Sequence, residues 1–553
     1  MNNTYLTEIF NNTIKKLSIN QEEIALIFDI PKDIKYGDLS TNLALQLSKK
    51  LKKAPKIIAQ EIIDNLEYDN KLIDEISIAG AGFINIKFTN YYYQQELKKI
   101  YLCGNDYGKT DLYKGKKINV EYVSANPTGL LHLGHGRNAA IGDTLANIYQ
   151  WCGADITREY YFNNAGNQMN NLTKSIYARY MQIIEDENFP FPDDGYHGSY
   201  VKNIAEELYS KYGKTLTSFD DKNTFNIIKT FGETWCFDKI KTTLKKMNVQ
   251  QEVFFNEDSL YKDGKIKEVL DELEAKGLSY EKEGAIWFAL SKLGLDSDRV
   301  IVKSNGEPTY RLPDIAYHRE KLKRNYDLVV DLFGADHIAT VPDVLAGIKA
   351  LGFDTNKIKV IIHQFVTLME NGEQVKMSKR TGKSYTLDDL LEEVGPDVVR
   401  FFLIMRSVNT HLEFELSIAR EQSDKNPVFY LQYAHARICS IIEKLNKENI
   451  ITYEKKLNDV NLSFLTNISE IKLIKTLMLF PQKLQNAAEK SEPHIICEYL
   501  KDVASAFHIF YHECRIIGVE TNIMLARLLL AKVTKTVLRN GMKILGVSYP
   551  EKM

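Results

Sequence analysis

Three rhythms of apolar and polar residues succeed one another along the chain. Through "STNLALQLSKKLKKAPKIIAQEIIDNL" (40–66) apolar positions recur at helical spacing, and "ISIAGAGFINIKF" (76–88) then alternates as a strand does. A charged "GKTDLYKGKK" follows, so residues 1–108 are expected to form a small α+β domain. From 118 to about 385, β-rich runs such as "INVEYVSA", "DLVVDLFGA" and "KVIIHQFVTL" alternate with helical ones such as "AAIGDTLANIYQWC" and "VPDVLAGIKAL". That alternation predicts a parallel α/β sheet. Residues from about 160 to 300 interrupt it with an irregular, aromatic-rich stretch, expected to be an insertion that splits the sheet into halves. Beyond 386 the strand signal fades. "SFLTNISEIKLIKTLMLFPQKLQNAAEK" and "EYLKDVASAFHIFYHECRII" have helical spacing and predict an all-α bundle over 386–553, behind an α/β unit at 109–385.

Composition changes this picture little. With 44% hydrophobic and 26% charged residues, the chain has the make-up of an ordinary soluble globular protein. The first residues, "MNNTYLTEIFNNTIKKL", lack a signal-peptide core, and no stretch approaches the ~18 apolar residues of a membrane helix, so a cytoplasmic protein without a membrane partner is expected. The six cysteines form no CxxC pair, which argues against a disulfide framework or a structural zinc site. A net charge of −2 means that any nucleic acid must be held by local basic patches. No heptad seam stands out, and a monomer is expected.

Two short stretches carry chemistry. "PTGLLHLGHGRNAAIGD" (127–143) follows a strand-like run and sets His132 and His135 at what reads as a helix start. A zinc site would need further ligands, and none lies at suitable spacing. Two histidines without a chemical role remain the plain alternative. An anion site explains more: free N–H groups at a helix N-terminus attract phosphate, Gly134 and Gly136 admit a close backbone, and the imidazoles supply hydrogen bonds or charge. The second stretch, "KVIIHQFVTLMENGEQVKMSKRTGKS", reads as a strand, a hairpin turned at Asn371-Gly372 and a basic loop in which Lys376 and Lys379 are placed to meet a triphosphate. Taken alone, "KMSKR" is as readily a solvated basic loop.

Together, "HLGH" and "KMSKR" resemble the two signatures of class I aminoacyl-tRNA synthetases. The surrounding "EYVSANPTGLLHLGHGRNAAIGD", "PTYRLPDIAYH", "LFGADH", "NPVFYLQYAHARICSI" and "MKILGVSYPEKM" resemble the arginyl-tRNA synthetases, nearly end to end. The resemblance implies a class I Rossmann-type sheet with an insertion, a small N-terminal domain that touches the corner of tRNA, and a helical anticodon-binding domain. It implies ligation of L-arginine to tRNA(Arg) through an adenylate, with ATP and its Mg²⁺ as substrate. His132, His135, Lys376 and Lys379 would then neutralise the α-phosphate as the arginine carboxylate attacks, and no general base is needed. Gly134, Gly334, Asp336, His363, Met377 and Ser378 would complete the ATP site.

Arginine demands acids in a planar fork. By the resemblance, Glu121 and Asp314 take the guanidinium, Tyr310 lies beside it, and Ser124, Asn126, His132 and His337 meet the rest of the amino acid. Tyr430, Tyr433 and Arg437 fall at i, i+3 and i+7 on one helical face, suited to unstacked anticodon bases or, more plainly, to a core stripe. Phe83 and Asn85 match positions at the tRNA corner, and the basic "KVTKTVLRNGMK" near the end suits phosphates or simply solvent. One departure stands out. Some arginyl enzymes carry a lysine between the motif asparagine and the first histidine and lack the second signature, whereas here Gly129 fills that place and "KMSKR" is intact. A synthetase for another amino acid, or a non-catalytic RNA-binding relative, are the competing readings. The first would need a pocket without acids and the second should have lost part of a signature.

Overall fold

The computed structural model describes residues 4–19, 26–31, 33–375, 385–447, 457 and 459–553. Helices α1 (Thr4–Lys16), α2 (Leu43–Leu51) and α3 (Pro55–Asn65) pack on an antiparallel sheet of β1 (Leu39–Thr41), β2 (Ile73–Ala79) and β3 (Phe83–Phe88), with β3 in the middle. The long helical run of the sequence is cut at Lys52, whose positive φ ends α2. Helix α4 (Asn90–Cys103), capped by the Thr89 side chain, leads out of this unit.

The central sheet is parallel and has the order β11-β10-β4-β5-β6, from β4 (Lys117–Glu121), β5 (Asp155–Phe162), β6 (Val253–Asn256), β10 (Leu328–Gly334) and β11 (Ile358–His363). The chain starts in the middle at β4, builds outward through β5 and β6, then returns to add β10 and β11 on the other side. The order therefore reverses between β4 and β10, and a crevice opens at their C-terminal ends. Helix α5 (Leu133–Trp151) starts at that crevice and is buried along almost its whole length. It lies so close to the sheet that a Cβ on Gly142 would stand 2.3 Å from the Tyr122 side chain.

The insertion differs from its sequence expectation. Helices α6 (Gly166–Ile184), α7 (Ser199–Tyr212) and α8 (Lys222–Lys246) form a regular helical unit with its own apolar core, and its aromatics are packing residues. Residues 253–256 return to the main sheet as β6. A second excursion follows, made of α9 (Asp258–Lys262), α10 (Lys265–Ala275) and a sheet of β7 (Ser279–Lys282), β8 (Ala285–Phe288) and β9 (Arg299–Val302), before α11 (Arg311–Lys323) returns to the main sheet. Helix α12 (Val341–Ala350) connects β10 to β11.

After β11 come β12 (Val366–Glu370) and β13 (Glu373–Gln374), a hairpin whose turn residues Asn371 and Gly372 both have positive φ. Helices α13 (Leu387–Val394) and α14 (Pro396–Ile404) follow. Strand β14 (Leu412–Glu415) then pairs with β12, so residues beyond 386 still contribute to a sheet rather than only to a bundle. The rest is helical: α15 (Leu416–Ala419), α16 (Pro427–Lys447), α17 (Ile468–Met478), α18 (Phe480–Lys490), α19 (His494–Glu513) and α20 (Thr521–Leu545). Buried Arg400 of α14 fastens this region down. It donates to the carbonyls of Leu545, Met247 and Asn248 and pairs with Asp143 of α5. Removing one partner of such a buried pair costs about 3–5 kcal/mol.

Candidate active site

Strand β4 leaves the sheet through Val123 (φ 71°) and Ser124 (φ 46°), a strained exit for a β-branched residue that costs on the order of 1–3 kcal/mol. Asn138 on α5 holds it in place. Its Oδ1 accepts from the Val123 N–H at 2.6 Å, and its Nδ2 donates to the Leu332 carbonyl at 3.1 Å and lies 3.2 Å from His363 Nε2. With Asn138 as donor, His363 accepts on Nε2 and donates from Nδ1 to the Gln364 carbonyl. One residue earlier, Arg137 donates to the carbonyls of Gln364, Phe365, Ser407 and Thr410, joining α5 to the base of the β12 hairpin and to the approach of β14. Neither Asn138 nor Arg137 has a sequence signature.

His132 is the N-cap of α5. Its Nδ1 accepts from the Gly134 and His135 backbone N–H groups, while His135 Nδ1 accepts from the His132 N–H. The two rings stack at 3.7 Å. The helix N-terminus therefore does not offer free N–H groups at Gly134 and His135 to an anion, as the sequence suggested, because His132 occupies them. The consequence is a fixed tautomer. Both Nδ1 atoms accept, so both protons sit on Nε2. Burial keeps both rings neutral: His132 is held below the usual histidine range and His135 is pushed down to about 3, with His132 and His363 adding to the effect. What the pair presents is two neutral N–H donors rather than positive charge. The glycines serve packing. A Cβ on Gly134 would press on the His132 ring, and one on Gly136 would meet Leu387 and Leu403 in the core, away from any ligand.

Across the crevice, α11 covers a row of acids. Asp331, Glu121 and Glu159 lie in register on β10, β4 and β5. Lys321 Nζ donates to Glu121 at 2.5 Å and to Asp331 at 2.7 Å, Arg324 pairs with Glu159, and His318 stands between Asp331 and the Asp314 carbonyl. Both ring nitrogens of His318 face acceptors, and Asp331 holds it protonated against the cost of burial. Three cations thus face three carboxylates. Glu121, 3% exposed, also accepts from Tyr317 and Ser124. It belongs to this neutralised floor and is not an acid free for a guanidinium, which corrects the sequence assignment.

Asp314 is different. In the first turn of α11, its carboxylate has no hydrogen-bond or ion-pair partner among the described residues, and burial pushes it up to about 7 against the opposing pull of His318, with Glu257, Glu121 and Asp331 adding to the rise. Glu257, absent from the sequence candidates, is the second acid here. It is buried, accepts from Tyr161 (2.6 Å), Asn163 (2.8 Å) and Tyr261, and is also held above the usual carboxylate range by burial. Its neighbourhood, "FNEDSLYK", carries no motif that marks it.

Tyr310, the residue before α11, is 76% exposed. Asn126 accepts from the Asn163 N–H and donates to Gln168, both unforeseen partners. Gly334 ends β10, followed by Asp336 and His337, an exposed pair 3.5 Å apart whose acid is close enough to act on His132 and His363. Lys376, Met377, Ser378 and Lys379, expected at the nucleotide, lie outside the described residues. On α16, Tyr430 packs on His508, Tyr433 stacks with Phe429, and Arg437 lies over Tyr433 and Tyr511, an aromatic face at the surface. Phe83 is exposed, but Asn85 is 4% exposed on the middle strand, paired with both Ser40 and Ser77, and offers no surface to RNA. No cluster of three His, Cys, Asp or Glu suited to a metal occurs among the described residues.

The chain is similar to known proteins over nearly its whole length. Residues 4–88 match the family described as "Arginyl tRNA synthetase N terminal domain", 96–401 match "tRNA synthetases class I (R), catalytic domain", and 431–553 match "DALR anticodon binding domain". An arginine–tRNA ligase of Salinibacter ruber is 44% identical over 99% of this chain and 100% of its own length. One from Listeria monocytogenes is 44% identical over 98% and 97%. The Thermus thermophilus arginyl-tRNA synthetase shares the fold, with a TM-score of 0.75 at 20% identity and full coverage of both chains. On these grounds the chain belongs to the arginyl-tRNA synthetase family of class I.

Proposed function

We propose that this chain is an arginine–tRNA ligase: it activates L-arginine with ATP to an adenylate, releases pyrophosphate and passes the arginyl group to tRNA(Arg). The observation that carries the amino-acid assignment is the unpartnered Asp314 carboxylate beside Glu257, next to a floor whose charges already balance. A guanidinium supplies the missing positive charge and fits a pair of acids through its planar fork. A neutral amino acid would leave a buried carboxylate unpaired, at a cost of several kcal/mol, which gives selectivity without editing.

The arginine carboxylate is itself the nucleophile and attacks the α-phosphorus as the phosphorus–pyrophosphate bond breaks. His132 and His135 donate Nε2–H to the developing phosphoryl charge from orientations set before substrate arrives. Asp336 and Gly334 border the nucleotide, Asn126 and Ser124 border the amino acid, and Lys376 and Lys379 act on the departing pyrophosphate, which enters with Mg²⁺ as part of the nucleotide substrate. The aromatic face of α16 takes anticodon bases, and the N-terminal unit meets the tRNA corner through Phe83. The protein works in the cytoplasm as a monomer. ATP–pyrophosphate exchange across the standard amino acids, with and without bulk tRNA, tests the assignment. Exchange with arginine alone, and only with tRNA present, is expected. Exchange with another amino acid overturns the pocket, and none at all favours an RNA-binding protein without catalysis.

A further inference from the structure

A cavity of about 240 Å³ lies apart from the catalytic crevice, where α16, α20, the end of α5 and the residues after α4 meet the C-terminal tail. Its walls include Lys535, Arg539 and Lys543 of α20, His435 of α16, and Tyr549 and Glu551 of the tail. The three cations follow one another at spacings of four, so they form a single stripe on α20. Lys543 is exposed and makes no ion pair among the described residues, and the only ion pair of Lys535 is with Glu551, at 3.7 Å. Beside them His435 is 1% exposed, and its Nε2 has no hydrogen-bond partner although it is buried. Its other nitrogen, Nδ1, donates to the Pro550 carbonyl at 2.9 Å. A buried polar atom left unpaired is unusual and calls for a partner.

We propose that this cavity is an oxyanion site that takes a phosphate-type group between Lys535, Arg539, Lys543 and His435. Three cations along one wall of the cavity can supply charge-assisted hydrogen bonds, and the fourth contact explains the orphaned ring nitrogen. Because Nδ1 already donates, the neutral ring presents only a lone pair at Nε2, so His435 meets an oxyanion once it has taken up a proton. In the empty cavity burial disfavours that proton, as do Lys535 and Arg539 from α20, while the Pro550 carbonyl and Glu551 from the tail favour it, and Cys439 on its own helix stays a neutral thiol. An anion seated among these groups reverses the balance. Glu551 currently stands where the ligand would pair with Lys535 and must give way to it.

The test is isothermal titration of the full chain with inorganic sulfate, which brings no proton of its own near neutral pH. The wild type is expected to bind with a heat that varies with the ionisation enthalpy of the buffer, showing proton uptake, and more tightly as pH falls. Lys543→Ala and Arg539→Ala should each weaken this binding about tenfold, whereas Glu551→Ala should strengthen it severalfold. Lys543 is a surface residue, so its variant tests the site without a folding risk. Repeating the titration with tRNA already bound separates the sources of the ligand. Loss of the sulfate site assigns it to a backbone phosphodiester, and its persistence assigns it to a small phosphorylated molecule. Absence of binding to the wild type, or unchanged affinity and stoichiometry in Lys543→Ala, overturns the proposal.

Discussion

Two groups of acids, one beneath α11 and one at its start, have opposite fates. Asp331, Glu121 and Glu159 sit in register across three strands and are matched by Lys321, Arg324 and a protonated His318. Glu257 is held by tyrosine hydroxyls and an asparagine amide and Asp314 by no side chain, and neither carboxylate has an ion-pair partner among the described residues, though His318 lies near enough to act on Asp314. The first group is finished by folding, and on the proposed reading the second is finished by arginine. Burial alone therefore does not mark a binding acid here. What separates the two is whether the chain supplies the counter-charge, and a net surplus of negative charge in a closed site is what a small cation can use.

Breaking the finished group should have the largest effect. Lys321→Met removes a cation with no exposed surface and leaves Glu121 and Asp331 facing each other. A loss of about 3–5 kcal/mol is expected, seen as a large drop in unfolding temperature before any assay of activity. Asp314→Asn should act the other way round. Thermal stability holds or rises, since an unfavourable buried charge is gone, while the arginine KM rises about a hundredfold and the ATP KM stays put. Equal changes in both constants would place Asp314 outside the amino-acid pocket.

Acidity sharpens the same contrast. With Asp314 at about 7, only about a tenth of it is ionised one unit lower, so arginine should bind about tenfold more weakly at pH 6 than on the plateau above pH 8. The stability sign follows from the raised pKa. The folded protein holds this proton longer than the unfolded chain, so stability falls as pH rises from about 4 to 7 and the cost is complete above that. The gain in unfolding temperature of Asp314→Asn over wild type should grow across that window and then level off. Glu257→Gln is expected to have the smallest effect, a severalfold rise in arginine KM, because Tyr161 and Asn163 can still hold the amide in place. A Glu257 effect larger than that of Asp314 would reverse the order of the two acids.

Much of this was legible in the sequence, for reasons that can be named. The strand-to-helix junction at "HLGH" and the Asn371-Gly372 turn are local, and local chemistry specifies them. Strand β6 escaped because "VFFN" is a short apolar run inside an aromatic-rich segment, and nothing in it says that it pairs with β5. Strand β14 escaped for the same reason, as its partner lies more than forty residues back in the chain. The two errors about the site also concern distance. The pairing of Glu121 is hidden in the sequence because its lysine stands 200 positions away, and Glu257 is hidden because only the fold brings it near Asp314. The two histidines stand out in the sequence, but their hold on the backbone N–H groups does not. Histidine is not among the favoured N-caps, so its occupation of the helix N–H groups had no precedent in spacing.

That last detail limits how position 132 can change. One ring both starts α5, through Nδ1, and presents a donor to the crevice, through Nε2. An asparagine there would restore the cap, worth about 1 kcal/mol, and lose the donor. A lysine would keep a donor and lose the cap. If His132 acts in the reaction as proposed, drift at this position is filtered twice, once by the helix and once by the chemistry, on opposite sides of the same imidazole.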